Sequence, residues 1–460
     1  MSILCTDIGS TYTKLTAISP AGEIMATARA FTTLENIMDG VRTALEEITK
    51  QCGCHFFDTR LCASSAAGGL KMVASGLVPD LTAKAARLAA ASAGAKVLKT
   101  FSYELTAADA CEIAEIAPDI ILLSGGIDGG NKDVLLKNAA TLAQIPGDFC
   151  VIVAGNRAAA DEAARLFTAD APLGALEYAR QGKRVVICEN VMPQFGKLNI
   201  QPAKNAIREI FITNIIEAKG LDEVQNFMTA EIIPTPLAVF NAAELLARHM
   251  GDLMVFDLGG ATTDVYSMAN GMPRNANVYV QGLQEPFAKR TVEGDIGMRY
   301  SLGAMLDVID PPIPDISREM MAEWQHICER NPAVLPVGEF AKYKSVDEAL
   351  AREAIRLSAA RHVGFYETTY TPMGETIIQT GKDLTQVKYI IGTGGALISA
   401  GHDVLRAAMY NPADLNLLKP QNPHVLLDHD YCLSAAGLLS QNFSEIALRI
   451  MKRSLREEID

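Results

Sequence analysis

Two short stretches, 250 positions apart, carry similar residue types in the same order. The first reads Thr6-Asp7-Ile8-Gly9-Ser10-Thr11-Tyr12-Thr13-Lys14 and the second reads Phe256-Asp257-Leu258-Gly259-Gly260-Ala261-Thr262-Thr263-Asp264. In each, an apolar strand leads into an aspartate, a glycine and hydroxyl residues. Glycine lets the backbone turn tightly and bring N–H groups to an anion, and the aspartate can hold a hydrated Mg²⁺ or orient a water. Two such loops that face one polyphosphate would form a nucleotide clamp.

A third glycine-rich loop lies near the end of the chain, in Tyr389-Ile390-Ile391-Gly392-Thr393-Gly394-Gly395-Ala396-Leu397. It follows an apolar strand and opens a helical segment. A backbone without side chains can lie flat against a nucleoside, and the N-terminus of a helix favours phosphate. Because this loop follows two phosphate loops in the chain, we predict that it contacts the nucleoside.

Strand-like runs after each phosphate loop indicate an internal duplication. After the first loop, strands over 13–18 and 23–31 flank a turn at 19–22; after the second, strands over 263–268 and about 275–280 flank a turn at 269–271. Such turns between strands predict a β-meander. Two copies predict a duplicated α/β fold with the ligand between its halves.

The segment from 95 to 215 has a different pattern, in which short apolar runs alternate with alanine-rich helical segments. This alternation predicts βαβ units and a parallel sheet. We predict four regions: a first half at 1–94, an inserted α/β subdomain at 95–215, a second half at 216–430, and a C-terminal helix at 431–460 that packs on the first half. The chain would cross into the second half near Pro234-Thr235-Pro236.

The composition narrows the class of protein. Of the 460 residues, 49% are apolar and 21% are charged, as in ordinary globular proteins. A net charge of -13 argues against nucleic acid or an anionic membrane as the main partner. Without a signal-peptide pattern or an apolar run near the ~20 residues that span a bilayer, we expect a cytoplasmic protein. The nine cysteines, of which Cys52, Cys54 and Cys62 form one loose cluster, are expected to be reduced thiols.

The order of the three loops resembles that of the actin, sugar-kinase and heat-shock-chaperone ATPase superfamily. Within it, the chain most resembles the accessory proteins of adenosylcobalamin-dependent glutamate mutase, the GlmL or MutL type. This likeness is carried by the N-terminal loop and the runs at 123–131, 291–299 and 392–396. The resemblance implies a duplicated actin-like (ribonuclease H-like) fold whose cleft binds ATP or ADP with Mg²⁺. It also implies a cobalamin-dependent mutase as client protein, and it leaves a homo-oligomer open.

The resemblance also implies a role for each loop residue. Asp7 and Asp257 would hold Mg²⁺ through water, and Lys14 matches the position of a phosphate-contacting lysine. Phosphate contacts would come from backbone and hydroxyl groups of Gly9, Ser10, Thr11, Thr13, Gly259, Gly260, Ala261 and Thr262. The nucleoside would lie against Gly392, Thr393, Gly394 and Gly395.

One position departs from the chaperone pattern. The chaperones carry a glutamate just before the proline that matches Pro234, where it helps to position the attacking water. Here that place holds Ile233, and Glu231 lies two residues away, so we expect slow ATP hydrolysis. Glu293 and Asp295 could supply a substitute carboxylate, although the same loop could be a surface turn.

Three functions follow from these patterns. The leading hypothesis is a chaperone-like reactivating factor, in which ATP and ADP stabilise different closures of the cleft and thereby exchange damaged cobalamin in a mutase. A small-molecule kinase would need a carboxylate base beside an acceptor hydroxyl, for which Asp295 is the candidate. An iron–sulfur ATPase that activates a dehydratase would need cysteines that bridge a dimer.

Overall fold

The computed structural model describes most of the chain between Ser2 and Arg456. The described residues are 2–9, 12–33, 36–65, 71–167, 183–216, 221–275, 277–309, 313, 316–332, 334–371, 374–410 and 414–456.

The first part of the chain folds as a β-meander followed by a helix and a parallel strand. Its elements are β1 (Ile3–Ile8), β2 (Tyr12–Ile18), β3 (Ile24–Phe31), α1 (Ile37–Cys52) and β4 (Thr59–Ser64). α1 begins where the Asn36 side chain accepts a hydrogen bond from the Met38 N–H, and it ends at Gly53 with φ 67°, which glycine adopts without strain. Its buried face carries Ile37, Val41 and Ile48, at the spacing of an amphipathic helix.

The next part, residues 71–227, forms a separate parallel sheet with its helices, which we name the α/β layer. Its elements are β5 (Lys71–Gly76), α2 (Lys84–Ser92), β6 (Lys96–Ser102), α3 (Ala107–Ile116), β7 (Ile120–Leu123), α4 (Asp133–Gln144), β8 (Cys150–Val153), α5 (Arg157–Arg165), β9 (Val185–Ile187), α6 (Gln201–Ile216) and α7 (Leu221–Phe227). The strand order is β6-β5-β7-β8-β9. The predicted βαβ units are therefore present. The sheet begins at Lys71, before residue 95, because β5 pairs with both β6 and β7.

The chain then returns to the first sheet and crosses into a second one. β10 (Ile233–Pro234) pairs with β4, and α8 (Thr235–Met250) follows it. The remaining elements are β11 (Leu253–Leu258), β12 (Thr263–Met268), β13 (Val278–Gln281), β14 (Ala288–Glu293), α9 (Leu302–Val308), α10 (Arg318–Arg330), α11 (Lys344–His362), β15 (Phe365–Thr371), β16 (Gly374–Thr380), β17 (Tyr389–Thr393), α12 (Gly395–Ala400), α13 (His402–Met409), β18 (His424–Asp428), α14 (Leu433–Leu439), α15 (Ser444–Ser454) and β19 (Leu455–Arg456).

The two large mixed sheets have the same plan. The first, which we name half I, has the order β3-β2-β1-β4-β10, and the second, half II, has the order β14-β12-β11-β17-β18-β19. In each, the first strand pairs antiparallel with the second and parallel with the fourth. The duplicated, actin-like α/β fold predicted from the sequence is confirmed.

Two predicted elements need correction. The strand predicted at about 275–280 is not the third strand of the second meander, because β13 pairs with β16 in a separate three-stranded sheet. β14 lies beside β12 instead, and Arg290 in its middle is buried against Asp264. The predicted C-terminal helix is two helices, α14 and α15, and the last four residues of the predicted range, 457–460, lie outside the described residues.

Helices between the two sheets give both halves a shared core. Side chains of α8, α14 and α15 pack in one cluster with Ile3 of half I and with Val255 and Ile391 of half II. α8 and α14 approach so closely that a Cβ on Gly437 would overlap the backbone of Ala238. This contact requires glycine. The shared core joins the two sheets on either side of the cleft. No helix in the described residues is both long and apolar enough to cross a bilayer.

Candidate functional site

A cleft of about 310 Å³ lies between the two halves, at the carboxyl ends of β1 and β11. This volume is within the range of small-molecule sites. All three glycine loops contribute to its walls. Of the residues predicted to bind nucleotide, the structure places ten in the lining: Asp7, Gly9, Lys14, Asp257, Gly259, Gly260, Ala261, Thr262, Gly394 and Gly395.

The two phosphate-loop candidates have the same backbone turn. The N–H of Gly9 donates to the carbonyl of Tyr12 at 2.9 Å, and the N–H of Gly259 donates to the carbonyl of Thr262 at 2.9 Å. A Cβ would lie only 2.8 Å from that oxygen at Gly9 and 3.0 Å at Gly259. Glycine is therefore required sterically at Gly9, and a side chain at Gly259 would be tight against its neighbour. The two similar sequences thus form the same turn.

The half I wall carries one aspartate and one lysine on neighbouring strands. Asp7 and Lys14 are cross-strand partners in the β1–β2 ladder. The hydroxyl of Thr235 donates to Asp7 Oδ1 at 2.7 Å, which fixes that carboxylate. Lys14 Nζ lies 4.6 Å from the centre of the Tyr431 ring, a favourable cation–π distance. Its positive charge therefore stays available to an anion in the cleft.

The half II wall carries two aspartates at the equivalent positions. Asp257 and Asp264 are cross-strand partners in the β11–β12 ladder. Burial, together with the nearby negative charges of Asp264, Asp7 and Asp428, raises the pKa of Asp257 to about 7, although Lys14 opposes this shift. A cation would relieve the repulsion, and the Asp7 and Asp257 carboxylates have the oxygen chemistry that a divalent metal such as Mg²⁺ prefers.

A buried arginine compensates the second aspartate. Arg290 Nε and Nη2 donate to Asp264 Oδ1 at 2.9 and 2.6 Å, and the Arg290 side chain is 2% exposed. Burial raises the pKa of Asp264, while Arg290 opposes the rise. Asp264 thus lines the cleft as part of an ion pair, whereas Asp257 has no side-chain donor among the described residues.

The third loop contributes only its second half to the cleft. Gly394 has φ 102°, and a Cβ there would overlap the backbone of Leu258, so glycine brings this loop onto the half II phosphate loop. Gly392 packs against Leu427 and Leu405, and the Thr393 hydroxyl donates to Asp428. Gly392 and Thr393 are therefore part of the support beneath the loop rather than of the cleft lining.

Three predicted phosphate contacts in half I have other outcomes. The Thr13 hydroxyl is buried and shares a hydrogen bond with the Thr32 hydroxyl at 3.0 Å, and Thr32 in turn donates to the carbonyl of Gly9. Thr13 therefore supports the loop from behind and does not line the cleft. Ser10 and Thr11 lie outside the described residues.

The candidate substitute carboxylates form an ion pair outside the cleft lining. Arg361 Nη1 donates to Glu293 Oε2 at 2.9 Å and to Asp295 Oδ1 at 2.7 Å. This arginine lowers the pKa of Asp295, whereas burial raises the pKa of Glu293. Neither carboxylate lines the cleft. Glu231 borders a second, smaller cavity instead, together with Ile233.

Several lining residues were not predicted from the sequence. Besides Thr235 and Asp264, they include the buried pair of Arg299 and Asp347, whose Nη1 and Oδ1 lie 2.8 Å apart. The Trp324 indole N–H also donates to Asp347 at 3.1 Å. Beside this pair, an apolar rim consists of Pro332, Val334, Leu335 and Pro336. Asp264, Thr235 and Arg299 were present in motifs named from the sequence, but no spacing signal connects Asp347 or the apolar rim to the glycine loops.

The cysteines show no arrangement for a metal or cluster in the described part of the chain. The thiols of Cys52 and Cys54 donate to the carbonyls of Ile48 and Phe56, and Cys62 is buried with its pKa raised well above the ordinary value by burial. No group of three His, Cys, Asp or Glu side chains in these residues could hold a metal by itself. A metal in the cleft would therefore need ligand oxygens and water besides Asp7 and Asp257.

The fold and the cleft define a two-lobed protein of the actin-like class. A family model described as "MutL protein" matches residues 3–455. Protein MutL of Clostridium tetanomorphum is 44% identical over 469 residues, and the match covers 98% of each chain. The chain therefore belongs to the MutL family, in agreement with the resemblance in its motifs.

Solved structures show more distant likenesses. An ATP-dependent caprolactamase from Pseudomonas jessenii is 13% identical with a TM-score of 0.39, covering 95% of this chain and 70% of that chain. The activator of 2-hydroxyisocaproyl-CoA dehydratase from Clostridium difficile, with bound ADPNP, is 9% identical with a TM-score of 0.33, covering 100% of both chains. Because these scores are low, neither likeness supports a function for this chain.

Proposed function

We propose that this protein is an ATP-binding accessory factor for an adenosylcobalamin-dependent mutase, most closely glutamate mutase, and that it acts as a slow, chaperone-like ATPase. The observation that carries the nucleotide part is the cleft, where two equivalent turns present Asp7, Lys14 and Asp257 from opposite sides. Two findings support the mutase partner. The chain belongs to the MutL family, and its motifs resemble those of the accessory proteins of glutamate mutase.

The residues of the cleft fit a Mg–nucleotide in three ways. Backbone N–H groups of the loops and the Lys14 ammonium would bind phosphate oxygens. Asp7 and Asp257 would hold Mg²⁺ through water, and the metal would supply charge neutralisation for the phosphates. Gly394 and Gly395, which line the same cleft as the apolar rim, would receive the flat face of the nucleoside.

Slow hydrolysis is consistent with the carboxylates that line the cleft. Asp264 is paired with Arg290 and Asp347 is paired with Arg299, so neither is free to take a proton from water. Asp7 and Asp257 are the lining carboxylates outside an ion pair in the described residues. With both assigned to the metal, the described lining offers no separate carboxylate as general base, and a bound nucleotide would persist long enough to hold one closure of the two halves.

The test is calorimetric binding of ATP and ADP with Mg²⁺, with and without glutamate mutase. Asp257→Ala should abolish tight binding. Asp252→Ala is the matched control. Asp252 is exposed and directly precedes β11, at the end of the strand away from the cleft. Affinity for nucleotide should also shift when the mutase is present, and linkage requires a reciprocal shift in mutase affinity.

Other outcomes of that test would contradict the proposal. Nucleotide binding that no mutase changes, with formation of a phosphorylated metabolite, would favour the kinase. Brown colour and acid-labile iron in protein prepared without oxygen would favour the iron–sulfur activator. Absence of nucleotide binding would show that the loops have only a structural role.

A further inference from the structure

One buried guanidinium connects the wall of the cleft to the α/β layer. Arg290 uses Nε and Nη2 to bind Asp264 Oδ1, at 2.9 and 2.6 Å, and Asp264 lines the cleft. Its Nη1 donates to the carbonyls of Ala91 and Ala95 at 2.8 and 3.2 Å. Because the side chain is buried, water does not compete for these bonds, and each is stronger than it would be at the surface.

The Ala91 carbonyl belongs to the last turn of α2, and the Ala95 carbonyl lies three residues beyond the end of this helix, directly before β6. The last carbonyls of a helix lack intrahelical donors and carry partial negative charge, so a guanidinium is a suitable cap. α2 itself packs against β5 and α6 in the α/β layer and against β14 in half II. Arg290 thus lies where the α/β layer meets half II and also touches the cleft wall.

The geometry of arginine makes the two sets of bonds interdependent. Its donors lie in one rigid plane, so a displacement of α2 relative to β12 cannot be absorbed without losing hydrogen bonds on one side. Conversely, a ligand that changes the charge near Asp257 and Asp264 changes how firmly Asp264 holds the guanidinium. A change on either side of this buried residue is therefore transmitted to the other side.

We infer that Arg290 is a positioning residue that couples occupancy of the cleft to the placement of α2, and through α2 to the α/β layer. This inference rests on the proposed function, since the charged ligand is the Mg–nucleotide. It also gives the α/β layer a role in that function. A protein that binds this layer would change nucleotide affinity, and nucleotide would change its binding by the same factor.

The test is hydrogen–deuterium exchange of backbone amides in residues 84–95, with and without Mg–ATP, in wild type and Arg290→Lys. Lysine keeps a positive charge beside Asp264. Its single ammonium nitrogen, however, cannot reach the carboxylate and both carbonyls together, as the three nitrogens of the guanidinium do. In wild type, nucleotide should change exchange in this segment about five-fold or more, the lower end of ordinary coupling. The change should disappear in Arg290→Lys, while the nucleotide still binds.

Lys84→Met is the matched control. Lys84 joins the first turn of α2 to Glu285 of half II at 2.9 Å, but it does not touch the cleft lining, so this variant should keep the nucleotide response. A response that survives in Arg290→Lys would overturn the inference, as would its absence in wild type with nucleotide bound. The second outcome needs no variant, so the inference stays testable if Arg290→Lys does not fold. Failure of wild type to bind nucleotide would instead contradict the proposed function itself.

Discussion

The two walls of the cleft share a backbone but carry opposite charges at one position. The β1–β2 and β11–β12 hairpins have the same register, so that Lys14 in half I corresponds to Asp264 in half II. Half I therefore faces the cleft with an aspartate and a lysine, and half II faces it with two aspartates. The same hairpin backbone therefore carries two different sets of charges, one in each half.

The second difference is how each wall balances its charge. Lys14 lies against the ring of Tyr431 without an anionic partner within 4 Å in the described residues, so its charge can serve a ligand. Asp264 is neutralised inside the protein by Arg290. Asp257, between them, is left with a raised pKa of about 7. Half I thus offers a fixed positive charge, and half II offers a negative charge that responds to pH and to cations.

The halves also differ in where they are elaborated. Half I is interrupted between β4 and β10 by the α/β layer, whereas half II is elaborated mainly between β14 and β17, by helices α9 to α11 and the β15–β16 hairpin. In the described residues half I therefore gains a five-stranded sheet, and half II gains a three-stranded one. Because Arg290 of half II reaches the α2 end of that layer, the two halves are linked outside the cleft as well as through it.

The largest expected effect comes from removing the internal counter-charge of half II. Arg290→Met leaves Asp264 buried beside Asp257 without a partner, and loss of one member of a buried pair costs about 3–5 kcal/mol of unfolding free energy. Denaturant unfolding of wild type and variant measures this cost. The double variant Asp264→Asn with Arg290→Met should recover part of it. An Arg290→Met variant as stable as wild type would show that Asp264 is neutral or solvated in the folded protein.

The equivalent position in half I should affect binding rather than stability. Lys14→Met removes a charge-assisted contact to phosphate, and such contacts contribute about 1.5–3 kcal/mol, so ATP affinity should fall by about ten-fold or more. The loss should be smaller for AMP, which lacks the outer phosphates. The free energy of unfolding should change by no more than about 0.5 kcal/mol. Lys50→Met, at an exposed lysine of α1 in the same half, should change neither quantity.

The backbone turns of the cleft could be predicted from the sequence, because the glycine and aspartate residues that form them interact within short segments of the chain. Gly9 and Gly259 each donate to a carbonyl three residues away within their own turn, so a nine-residue motif contains this constraint. The strand order of half I follows in the same way, since its meander is built from consecutive strands. In half II the third strand of the meander is β14, because β13 joins a separate sheet.

The charges of the cleft could not be obtained in this way. Asp264 appears in the motif, but its partner Arg290 lies on β14, whereas the third strand of this meander was predicted at about 275–280. The carbonyls of Ala91 and Ala95 are in another layer. Gly392 fits the glycine pattern yet packs against two leucines. A motif specifies which residues are near each other in the chain, whereas the packing of separate elements decides which of them faces the ligand.

The different response of the two walls to pH gives a third prediction. Because Asp257 has a raised pKa of about 7, it is mostly protonated below this pH and must lose its proton to favour a cation. Affinity for Mg–ATP should therefore fall about ten-fold between pH 8 and pH 6, with proton release on binding near pH 7. Calorimetry in buffers of different ionisation enthalpy measures this release. Asp257→Asn should bind more weakly and release no proton from this site; an unchanged pH profile in that variant would assign the titration to another group.

The smallest expected effect concerns the orientation of Asp7. Its carboxylate accepts a hydrogen bond from Thr235 at 2.7 Å, whereas Asp257 has no side-chain donor in the described residues, so only the half I aspartate is fixed in this way. Thr235→Val removes one hydrogen bond, worth about 1 kcal/mol, and should weaken Mg–ATP binding about five-fold with little change in the pH profile. Thr235→Ser, which keeps the hydroxyl, is the control. If valine binds nucleotide as tightly as threonine, the two aspartates differ only in the charges around them, and the hydrogen bond from α8 has no part in the asymmetry of the cleft.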